Sequence, residues 1–82
     1  MLFCGMDQAL IVKHLAQAVE HIALGERLIA RQKEIVATLQ AGGHDTATAQ
    51  WLLVQFEDLQ TEHVSHRDWL NAKLAEISRP DV

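Results

Sequence analysis

With 82 residues and a formal charge of −4, the chain has room for one small domain and lacks the basic face that gripping nucleic acid requires. Nearly half of it is apolar, yet it holds two Phe, two Trp and no Tyr, so its core must be aliphatic. Ala, Leu, Ile, Val, Glu and Gln dominate, a helical composition that argues against a strand-rich fold.

Residues 1–6 are expected as a loose tail. Cys4 is the lone cysteine, so no intrachain disulfide can form, and a reducing, cytoplasmic setting is expected. The apolar run over 10–24 is interrupted by Lys13, His14, Glu20 and His21, which rules out a membrane span there.

Asp7 is a fair N-cap for a first helix over residues 7–41. A 4-3 spacing runs through Ile11, Leu15, Ala18, Ile22, Gly25, Ile29, Gln32, Val36 and Leu39. Heptad spacing sustained this long marks a helix packed along its whole length, as in a coiled coil. Val12 and Val19 widen the stripe on one side, Leu28 and Ile35 on the other, so the helix is expected to touch two neighbours.

Gly42-Gly43-His44-Asp45-Thr46 is the one strong break in the pattern. Gly42 can take the left-handed position that closes a helix, and Asp45 or Thr46 can cap the next. With a turn at 42–45, a second helix is expected over 46–78, stopping before Pro80, with 79–82 as a tail. Its stripe reads Ala49, Leu52, Phe56, Leu59, His63, His66, Leu70, Lys73 and Ile77. Residues 51–54 are apolar on every side, so the helix should be enclosed near the turn, and Trp69 widens the stripe lower down.

An all-α fold follows: an antiparallel two-helix hairpin. Two helices cannot cover stripes that face two ways, so a homodimer forming a four-helix bundle is expected, with a different protein partner as the competing solution. Leu28, Ile35, Trp51, Leu53, Phe56 and Trp69 are the expected interface. Folding about the turn sets residue i opposite roughly 87 − i, which brings Arg27 and Arg31 near Glu57 and Asp58. Such exposed pairs help select register while stabilising by about 0–1 kcal/mol each.

The same register places Gly25 beside Glu62 and His63, and His21 near His66. A mid-helix Gly costs about 0.5–1 kcal/mol against Ala, and here it could make room for an imidazole. Three readings fit this polar layer. Buried imidazoles can fix register through hydrogen bonds. His21, Glu62, His63 and His66 can ligate a metal. The layer can also form a small-ligand or pH-responsive pocket.

Sequence motifs weigh against the metal. The Glu-x-x-His pattern of di-iron bundles is absent, and Glu62-His63-Val64-Ser65-His66 is not His-Glu-x-x-His. No Ser–His pairing is implied by Ser65, which points away from the stripe, and Cys4 has no activating neighbour. Gly42-Gly43 follows no strand and matches no phosphate-binding pattern. His44 is expected to be exposed and without a role. The expectation is therefore a non-enzymatic protein with no cofactor, no nucleic-acid partner and no membrane partner.

The stretch from His21 through Gly25-Glu26-Arg27 to Val36, then Gly43-His44-Asp45-Thr46-Ala47, Leu52-Leu53, Phe56-Glu57, Leu59-Gln60 and His63-x-x-His66-Arg67, resembles small uncharacterised helical-hairpin proteins of soil alphaproteobacteria. The resemblance covers roughly residues 20–70. It implies that these stretches belong together and carries no catalytic role.

Overall fold

The computed structural model describes residues 8–78, so both tails, the Asp7 cap, Cys4 and the Pro80 stop lie outside the described residues. Two helices make up the fold: α1, Gln8–Ala41, and α2, Ala47–Ser78, of 34 and 32 residues. They run antiparallel against each other as a hairpin, in a rod of 64 × 18 × 16 Å. No strand occurs among the described residues.

The turn is built from backbone chemistry. Its left-handed residue is Gly43, at φ 74°, not Gly42 as the sequence suggests. His44 N–H donates to Leu39 C=O at 2.9 Å and Gly43 N–H donates to Gln40 C=O at 3.1 Å. This paired closure satisfies carbonyls that the end of α1 would otherwise leave open, and it requires positive φ one residue past the cap. His44 thus has a place after all. Its ring lies over Gly42, where an added Cβ would approach it to 2.8 Å.

Asp45 and Thr46 divide the capping of α2. Asp45 Oδ1 accepts from Ala47 N–H at 3.0 Å, while Thr46 C=O accepts the first helical bond from Gln50 N–H at 2.8 Å. The Thr46 hydroxyl is held by the Gln50 side-chain amide at 3.0 Å. Thr46 is therefore the cap residue, and the helix begins at Ala47.

Along α1, each expected stripe residue from Ile11 to Leu39 is buried or half-buried. The α2 stripe needs correction. Its seam runs through Ala49, Leu53, Phe56, Gln60, His63, Arg67, Leu70 and Leu74, all buried or half-buried. Leu59, His66 and Ile77, expected in the seam, are exposed. The helix is rotated so that the second seam row falls one residue later than apolarity suggests. Gln60 occupies this row, and its Nε2 donates to Ile22 C=O across the seam at 2.9 Å.

Burial is thin. Ile11, Ala18 and Leu70 form a cluster at the end away from the turn, with Leu15 and Leu74 packed against it. Ile11 and Leu70 are fully enclosed, and each such side chain contributes about 1.5–3 kcal/mol on burial. Nearer the turn the seam is held by Gln32, a buried polar residue whose Nε2 donates to Ala49 C=O at 2.9 Å.

The expected ion pairs between helices do not form. Arg31 bonds Glu34, Arg67 bonds Asp68 and Lys73 bonds Glu76, each within its own helix. Heptad geometry explains the difference: Arg27 and Asp58 project from the backs of their helices, away from the seam.

Candidate functional site

An open cleft lies midway along one side of the hairpin. It encloses about 190 Å³ between His21, Leu24, Gly25 and Leu28 of α1 and Phe56, Leu59, Gln60 and His63 of α2. Four of these side chains are large and apolar, and Leu24, Leu28 and Leu59 remain exposed. The floor is the seam itself, where Gly25 meets Gln60.

That meeting corrects the expected layer. A Cβ at Gly25 would overlap the Gln60 amide, coming within 2.8 Å of its Cδ and closer to Oε1. Gly25 makes room for an amide, not an imidazole. The register slips by two to three residues from the expected pairing, enough to exchange partners along the layer. Gln60 Oε1 is buried and has no hydrogen-bond partner. The hydrogen that Gly25 carries in place of a Cβ points toward this oxygen, a weak contact at best.

The same slip rearranges the histidines. His21 faces His63, with ring centroids 5.3 Å apart and planes tilted by 57°. His66, expected beside His21, instead stacks on Trp69 of its own helix at 6.4 Å and 9°. Lys73 Nζ stands 5.5 Å over the same indole, a cation–π contact. Glu62 is exposed and joins neither imidazole. Among the described residues, no three His, Cys, Asp or Glu side chains lie close enough to hold a metal ion. Of the four candidate ligands, the structure brings together two, His21 and His63.

The expected interface residues split by direction. Leu28, Ile35, Phe56 and Trp69 belong to the cleft side or its continuation, by heptad position. Leu53 lies in the hairpin seam and is half-buried there. Trp51, 61% exposed, points from the back of α2 and lines no part of the cleft. Sequence reasoning missed Leu24 and Leu59 as cleft walls and Gln60 as the floor. The signal for Gln60 was its spacing, four after Phe56 and three before His63, which its polarity obscured.

The cleft belongs to a longer row. His14, His21, Leu28 and Ile35 of α1 run beside Leu52, Leu59, His66 and Lys73 of α2, all on one flank at heptad spacing. The opposite flank carries Val12, Val19, Glu26 and Lys33 with Gln50, Glu57, Val64 and Asn71, which is more polar. The hairpin is therefore two-sided. Among the described residues, no helix is long and apolar enough to cross a membrane.

No family model, curated protein or solved structure matches the chain.

Proposed function

We propose that the chain is a non-enzymatic interaction module that works as a homodimer, two hairpins packing through their cleft-bearing flanks into a four-helix bundle. The observation that carries this reading is the apolar row left uncovered along the cleft flank, where Leu24, Leu28 and Leu59 are 47%, 43% and 50% exposed.

The placement of apolar side chains supports the same reading. Leu24, Leu28 and Leu59 are exposed around a concave site, and a second copy supplies aliphatic side chains to fill it. Closed two-fold pairing uses the same patch on both copies, so one apolar flank per hairpin suffices. A reducing, cytoplasmic setting goes with this reading, since nothing in the bundle depends on a disulfide.

Light scattering on the untagged chain at micromolar concentration tests the reading. A mass twice the 9.2 kDa of one chain is expected. A single-chain mass across that range, with a chelator and with added divalent metal alike, contradicts it.

A further inference from the structure

We infer that His21 and His63 form half of a divalent transition-metal site, completed by the same two residues of a second copy on the dimer axis. This rests on the homodimer proposed above.

The first support is the spacing of the two rings. Imidazoles that share one tetrahedral ion, with metal–nitrogen bonds of about 2.0–2.1 Å, have ring centroids about 5 Å apart. The His21 and His63 centroids are 5.3 Å apart. Neither ring makes a hydrogen bond among the described residues, so their nitrogens are not committed elsewhere. His63 is half-buried and His21 exposed, so both rings open onto the cleft.

The second support is where the pair stands. His63 is at the middle of α2, and His21 lies within a turn of the middle of α1. A two-fold axis that gives two hairpins their fullest overlap must pass near the middle of each. Pairing through the cleft flank then brings both His21–His63 pairs to that axis. Two chains together supply the four ligands that a single chain lacks.

The surroundings suit such a site. Leu24, Leu28, Phe56 and Leu59 wall the cleft and would exclude competing water. Gln60 Oε1 adds a buried acceptor without a donor, the kind of group that the outer N–H of a ligating imidazole satisfies. Imidazole ligands select zinc, copper or nickel over magnesium or calcium.

Titration of the untagged, full-length chain with zinc chloride, followed by calorimetry and light scattering, tests the inference. The expected result is one zinc bound per two chains, on a protein that is dimeric with zinc. His21→Ala and His63→Ala should each weaken binding more than about tenfold, since each removes two of four ligands. His66→Ala should leave it unchanged. His21 is exposed, so its removal does not endanger folding. A protein that is dimeric in EDTA and binds no zinc, binds one per chain, or binds equally well without His21 overturns the metal site while the dimer stands. A monomer in both EDTA and zinc overturns both. A monomer in EDTA that dimerises at half an equivalent of zinc supports both.

Discussion

The side-chain amide of Gln60 lies where Gly25 has no Cβ, and from there its Nε2 reaches the Ile22 carbonyl of the facing helix. A residue that weakens one helix thus admits the residue that fixes the other. Gly25→Ala should gain about 1 kcal/mol in helix propensity and lose a comparable amount as the amide is displaced. The net change should be small in the native background. In Gln60→Ala the same substitution should stabilise by about 1 kcal/mol, because nothing remains to displace. A double-mutant cycle by urea unfolding reads the difference as a coupling of about 1 kcal/mol.

Gln32 makes the equivalent bond in the opposite direction, from α1 to Ala49 C=O. That carbonyl also sits within the α2 ladder, so removing the Gln leaves no buried acceptor stranded. Gln32→Leu should therefore be close to neutral, within about 1 kcal/mol. Gln32→Ala should cost about 1–3 kcal/mol, since it opens a void as well as losing the bond. Chemical denaturation of the two variants side by side separates packing from hydrogen bonding.

Both glutamines show how far the sequence could be read. The α1 stripe was fully legible, because its nine positions carry apolar or small residues with one Gln among them. The turn was legible as punctuation, although the left-handed φ falls on Gly43 and not on its neighbour. The α2 stripe was half legible. Ala49, Phe56, His63 and Leu70 hold one row, and for the second row apolarity favoured Leu52 and Leu59 over Leu53 and Gln60. An apolar row that a partner would cover looks the same in sequence as one the chain covers itself. Gln60 and Arg67 were hidden for the complementary reason: each lays an aliphatic stem in the seam, while its polar end bonds the Ile22 carbonyl or the Asp68 carboxylate. The histidine pair depended on register, and a slip of three residues, most of a helical turn, replaced His66 with His63.

Gly43 gives the turn its sharpest test. Its φ of 74° is one that residues with a Cβ adopt at a cost of about 1–2 kcal/mol, and no atom stands within 4 Å of an added Cβ. Gly43→Ala should lower stability by about 1 kcal/mol through conformation alone, and Gly43→Asn by less. For a domain of this size that corresponds to a fall of roughly 4–8 °C in Tm for the Ala variant. Gly42→Ala should be milder, since the exposed His44 ring can swing aside.

Central to the molecule's proposed role is that one flank, the cleft flank, holds two copies together. Leu59 sits on that flank at 50% exposure, and Val19 sits on the other at the same exposure. A lysine at either position can keep its charge in water within the single hairpin, so both variants should fold, as circular dichroism can verify. Buried in the dimer, a lysine at 59 would be an unpaired charge, which costs several kcal/mol. The deciding measurement is the light-scattering mass of Leu59→Lys beside Val19→Lys and the unsubstituted chain. A two-chain mass for Val19→Lys and the parent, with a one-chain mass for Leu59→Lys, is the expected result. Equal masses for all three would contradict the assignment of the cleft flank as the dimer interface.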